Sequence, residues 1–118
     1  MAIDIDSIRE VFTAQSYIRT RETAKLDEYQ APINGQCLYH NKDQATILIV
    51  IDPGLSLDSF LELSGVTCPT PDKLMKDARL RQFPEWGGTT LMLHHGRVLS
   101  VASPEALAHF LKVFDTPA

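Results

Sequence analysis

Five consecutive aliphatic residues, ILIVI at 47–51, constrain this chain more than any other stretch. A short run that is apolar at nearly every position, bounded by turn chemistry, reads as a strand buried on both faces. Asn41, Lys42 and Asp43 supply the turn before it, and Asp52-Pro53-Gly54 stops it. The run, extended to 45–51, therefore belongs at the centre of a sheet. GQCLYH just before the turn provides a second, shorter strand over 36–40. The aliphatic run is also far short of the roughly 20 apolar residues that a membrane helix needs.

Helices follow from capping and from apolar spacing. Ile5, Ile8, Val11 and Phe12 form one apolar face, and Asp6 or Ser7 can cap it, with Ser7 and Glu10 at capping-box spacing. The stretch after it, SYIRTRETAKLDEYQ, either continues this helix or becomes a polar edge strand around 16–22. Its charges, Arg19, Arg21, Glu22, Lys25, Asp27 and Glu28, are mixed in sign and expected to be solvated. LSLDSFLELSG reads as a short helix capped by Ser56 and ended by Gly65, with Leu57, Phe60 and Leu61 inward. TPDKLMKDARLRQF reads as another over 71–81, capped by Thr70 with Pro71 at its first position. TTLMLHHGRVLSVA reads as two strands reversing at His95-Gly96. The last helix opens at Ser103-Pro104 and turns Leu107, Phe110, Leu111 and Phe114 inward. The expected fold is a single α+β domain over 1–118, with a mixed sheet of four or five strands and helices packed against it.

Composition narrows the function classes. The 118 residues carry a net charge of -4, which argues against a general nucleic-acid binder. Cys37 and Cys68 form neither a CxxC nor a zinc spacing, and the N-terminus shows no basic region leading into an apolar one. The expectation is a soluble, cytoplasmic chain with reduced thiols, no membrane contact and no cofactor.

EWGGTTLMLHHG, 85–96, concentrates residue types that carry chemistry. His94 and His95 point to opposite faces if they lie in one strand, and neither His40 nor His109 stands at ligand spacing, so no metal site is expected. Ser7, Ser56 and Ser103 are accounted for as helix caps, and no G-x-S-x-G elbow exists. Cys68, just ahead of the Thr70 helix start, is the better placed thiol. On a helix, Lys73, Lys76 and Arg79 share one face, and Trp86, Gly87 and Gly88 follow. Cations, an aromatic plate and bare backbone N–H groups together suit a phosphate or a nucleotide end. Gly87-Gly88 alone matches neither GxGxxG nor GxxxxGK.

Two resemblances follow from these residues. NKDQATILIVIDPGLSLDSFLELSG and CPTPDKLMKDARLRQFPEWGG resemble consecutive segments of the aminoacyl-tRNA deacylases related to prolyl-tRNA editing domains, and SPEALAHFLKVF resembles the opening of their C-terminal helix. The resemblance implies hydrolysis of mischarged aminoacyl-tRNA in a small pocket. The family's lysine would fall near Gly35 or Gln36, where this chain has none. TTLMLHHGRVLSVASPEALAHFL is similar to the closing strand–turn–strand–helix unit of thioredoxin-like folds, without their CxxC and with Thr89 in place of their cis-proline.

The expected function is a non-catalytic binding or interaction module, with itself as a homodimer, another protein or a small ligand as partner. No catalytic residue is assigned. The candidate ligand-binding set is Trp86, Gly87, Gly88, Thr89, His40, Lys73 and Lys76. The enzymatic alternative is an aminoacyl-tRNA deacylase-like hydrolase acting on an aminoacyl-tRNA ester or a similar small ester, with an RNA end as its partner. It would place Trp86 to Thr89 on one wall of a pocket between two hairpins and His40 on the other, with the glycine N–H groups as an oxyanion hole.

Overall fold

The computed structural model describes residues 4–42, 46–69, 74–77, 79–83 and 94–116. Helix α1 spans Ile5–Ala14. Asp4, rather than Asp6 or Ser7, caps it: the Asp4 carboxylate accepts the Asp6 N–H at 3.0 Å, and the Ser7 hydroxyl donates to the same carboxylate at 2.9 Å. Ser16, at φ 64°, then reverses the chain into β1, Ile18–Glu22. Strands β2 (Leu26–Gln30), β3 (Cys37–Asn41) and β4 (Ile47–Ile51) follow, each antiparallel to the one before. The region left open between helix and strand over 16–22 is therefore the polar edge strand.

Beyond β4, α2 is a single turn, Asp58–Leu61, and Gly65 (φ 85°) leads into β5, Val66–Thr67. Phe60 is buried and Leu57 packs on the core, whereas Leu61, expected inward, is exposed. Strand β6 is Met75–Asp77, β7 is His94–Val101, and α3 is Pro104–Phe114. Ser103 accepts the Ala106 N–H at 3.1 Å, and Leu107, Phe110, Leu111 and Phe114 are buried as the spacing requires.

The described strands make one seven-stranded sheet in the order β1-β2-β3-β4-β7-β5, with β6 also on β7. Every pairing is antiparallel, so the sheet is not mixed, and it is wider than four or five strands. Strand β4 lies between β3 and β7, and Ile47, Ile49, Val50 and Ile51 are all buried. The aliphatic run thus occupies the centre, as its composition demands.

The register sorts side chains between two cores. Tyr29 opposite Leu38, and Ile49 opposite Leu99, face α1 and α3, where Ile8, Phe12, Phe110 and Leu111 close the larger core. Phe12 stacks on Tyr29 with ring centroids 3.7 Å apart. Tyr39 opposite Val50 faces the other way, into a smaller core completed by Leu26, Leu80 and Phe83.

Two expected elements are different. The region 71–81, where described, is not helical: β6 pairs with β7 through Met75–Gly96, Lys76–His95 and Asp77–His94. Helix-forming residues yield here to the open edge of β7, because tertiary pairing outweighs intrinsic propensity. Asp77 then makes the turn, accepting the Arg79 N–H at 2.8 Å, while the Leu80 N–H donates to the Asp77 carbonyl. Likewise, His95-Gly96 is not a turn. Both lie inside β7, which runs unbroken from His94 to Val101. Gly96 is there for space: a Cβ on it would sit 2.5 Å from Val50 Cγ1 and 3.0 Å from the Phe83 ring.

Candidate functional site

The residues singled out from the sequence do not converge among the described residues. Trp86, Gly87, Gly88, Thr89 and Lys73 lie outside them. Lys76 is exposed on β6, opposite His95. His40 lies in β3, opposite Asp27 and Ile49, with 1% of its surface exposed. It faces the α1 side, its ring 6.5 Å from that of Phe12, and its Nδ1 has no hydrogen-bond partner among the described residues. Burial depresses its pKa to about 4; Asp27 opposes that shift, and Lys42 and Arg9 add to it. The side chain is a neutral core histidine.

The basic helical face dissolves with the helix. Arg79 is tied to the Asp77 carboxylate, and Arg81 reaches across to Glu28 through two bonds of 3.1 and 3.0 Å. His94 holds the same segment, its Nδ1 2.7 Å from the Phe83 carbonyl oxygen. Cys68 is half-buried, with its sulfur 3.5 Å from the Val98 carbonyl oxygen. Burial, with Glu28 adding to it, raises the pKa of the Cys37 thiol, which keeps it in its un-nucleophilic form. Among the described residues, no group of three or more His, Cys, Asp or Glu is placed to hold a metal ion, and no helix is long and apolar enough to cross a membrane.

Asp27 and Glu28, expected to be solvated, are instead buried on opposite faces of β2. Asp27 accepts from Arg9 Nε at 3.0 Å and lies 3.0 Å from Lys42 Nζ. Glu28 accepts from Tyr39 Oη at 2.6 Å, Thr20 Oγ1 at 2.7 Å and the Arg81 guanidinium. For both carboxyls burial pushes the pKa up. For Asp27 the Arg9 and Lys42 bonds outweigh it, for Glu28 those of Arg81, Tyr39 and Thr20, and both net shifts are downward. These are structural anions.

What the fold leaves open is β1. All five of its residues are exposed, and among the described strands only β2 pairs with it. The register slips between Arg19 and Arg21, a bulge at Thr20. Ile18 at its start is 60% exposed, and Ile33, in the loop after β2, is 66% exposed. Beside Ile33 lies a groove of about 370 Å³ lined by Ser16, Tyr17, Pro32, Ile33, Leu111 and Lys112. Its floor is fixed: the Tyr17 hydroxyl donates to the Leu111 carbonyl at 2.6 Å, and Asp115 accepts the N–H groups of Ile33 and Asn34, both at 2.9 Å. A separate hollow of about 270 Å³ lies on the other face, between Cys37, Asp52, Leu55, Gln82 and Phe83.

Neither a family model nor a curated protein sequence matches this chain. The edge and its groove were only partly legible beforehand. The polar, β-branched IRTRE at 18–22 carried the edge-strand signal, but Ile33 sits in a loop with no pattern to mark it.

Proposed function

We propose that the protein is a non-catalytic interaction module, and that its docking element is the open edge of β1. The observation that carries this reading is the strand itself: five exposed residues, one paired side, and exposed isoleucines at its start and in the adjoining loop. An unpaired strand edge offers a row of N–H and C=O groups to an extended segment of another chain, and pockets beside it select side chains. A bulge and charged side chains are usual guards against indiscriminate pairing, and β1 has both.

The chemistry of the interior supports the same reading. Asp27, Glu28 and Tyr39 are consumed by structural bonds, and His40 is enclosed and neutral. The hydrolytic alternative requires His40 on an open wall, and its burial beneath α1 gives that idea no support.

Hydrogen exchange on the protein with and without binders drawn from a random decapeptide array tests the proposal. Protection is expected at the amides of 18–22. Protection centred instead on Cys37, Asp52 and Gln82, or no binder at all, would count against it.

A further inference from the structure

The edge of β1 is electrostatically one-sided. Its one acid, Glu22, is already met by Arg9 at 3.0 Å, Lys42 at 3.7 Å and Arg19 at 3.9 Å. Arg21 has no ion pair among the described residues, and neither has Lys112 at the rim of the groove. Arg19 lies opposite Tyr29, on the α1 face, and Arg21 lies opposite Glu28, on the other face. A strand laid along β1 alternates its side chains between the two faces, so it meets an arginine on each. Among the described residues lining the groove, the one acid is Asp115. It is buried, and its carboxylate is committed to backbone N–H groups.

Resting on the strand-addition reading above, we infer that the partner is an extended acidic segment of another protein. An apolar side chain of that segment enters the groove between Tyr17, Ile33 and Leu111, with an acidic group beside Lys112. The groove, about 370 Å³, is on the scale of pockets that hold small ligands and has room for an aromatic ring. Cationic edge and acidic strand are complementary, and opposite charges across a strand pair stabilise it while like charges oppose it.

A second copy of this chain fits less well. The antiparallel register that pairs all five residues of one β1 with another sets Ile18 against Glu22, Thr20 against Thr20, and Arg19 against Arg21 twice. Like charges directly opposite each other are destabilising, so self-pairing works against itself where an acidic strand does not.

Two labelled decapeptides of matched apolar content separate these cases, one alternating glutamate with apolar residues including one phenylalanine, the other with lysine in place of every glutamate. Fluorescence anisotropy is expected to show the acidic peptide binding about tenfold tighter or more, with the preference shrinking as salt rises. The variants R21E and K112E, both at exposed positions, are expected to lose or invert that preference. Ile33→Asp is expected to weaken the phenylalanine peptide more than its alanine counterpart. Circular dichroism checks that each variant folds, and light scattering reports self-association.

If both peptides bind equally and both protect the amides of 18–22, the edge reading stands and the acidic partner is wrong. If neither binds, both fall. A wild-type dimer whose β1 amides are protected without peptide would replace the acidic partner with a second copy.

Discussion

Asp27 and Glu28 are neighbours on β2, both buried, yet each is neutralised in a different way. Asp27 faces α1, and its partners are two full cations, Arg9 and Lys42, which come from elements flanking the same strands. Glu28 faces the smaller core and is held by two hydroxyls and one arginine, Arg81, which is 53 residues away in sequence and half exposed. The first arrangement knits α1 to the sheet with charge. The second fastens the 79–83 segment to the face away from the described helices α1 and α3, using Glu28, Tyr39 and Gln82 as a latch: the Tyr39 hydroxyl donates to Glu28 and accepts the Gln82 N–H at 3.1 Å. One face is therefore secured by two ion pairs beneath a helix, and the other by a single ion pair and a hydrogen-bond relay beneath the 79–83 segment.

The largest effect is expected on the Asp27 side. Asp27→Ala removes the buried partner of Arg9 and Lys42, which keep only the exposed Glu22 as an ion-pair partner among the described residues, and is expected to cost about 3 kcal/mol, the low end for a broken buried pair. Glu28→Ala leaves Arg81 free to turn into water and is expected to cost clearly less. Equal losses in urea unfolding would break the distinction drawn between the two faces.

Next comes pH. His40 has a folded pKa of about 4, against an ordinary value of 6.5. As pH falls through 6.5 the unfolded chain takes up this proton first, so stability declines from there toward about 4, by roughly 3 kcal/mol in all. His40→Leu should flatten that window. The acids act lower: both have depressed folded pKa values, so their contribution is present above the ordinary carboxyl range and is lost as pH falls through the folded values. A stability profile with the same slope between pH 6.5 and 4 in wild type and His40→Leu would show that His40 is not the group responsible.

On the opposite face, Gly96→Ala forces a methyl against Val50 and Phe83 and is expected to cost about 1–3 kcal/mol. Its chemical-shift changes should be concentrated around Tyr39, Val50 and Phe83 and leave Phe12 and Phe110 nearly unmoved. The smallest effect is Tyr39→Phe, about 1 kcal/mol, because Arg81 and Thr20 still hold Glu28. It should nevertheless speed hydrogen exchange at the Gln82 amide, the one backbone group that loses its acceptor.

The sequence was most legible where local signals and burial agree. The aliphatic run at 47–51 went to the centre of the sheet, and Ser103-Pro104 opened α3 with the expected face inward. It misled where a local preference met a tertiary need. Lys76 and Met75 favour a helix, but β7 presented an edge to pair, and Gly96 looked like a turn because glycine's other use, clearance beneath an aromatic ring, leaves no local pattern. Asp27 and Glu28 looked solvated because their partners, Arg9, Lys42, Tyr39 and Arg81, are spread along the chain and meet only in the fold. For the candidate site, His40 could be placed on a strand but not on a face, and the groove beside Ile33 depends on α3, whose end the β2–β3 loop meets through Phe114 and Asp115, some 80 residues further along the chain.

The two borders of the sheet are unlike. Among the described strands, β1 presents five residues in a row on one side, and on the other the long strand β7 is lined by two fragments, β5 of two residues and β6 of three. A sheet with equivalent borders can stack copies head to tail and grow into a fibre. With one continuous border and one broken one, addition at β1 offers the newcomer no matching border for a further copy to use. Assembly would then stop at one guest per molecule, a stoichiometry set by strand lengths rather than by affinity.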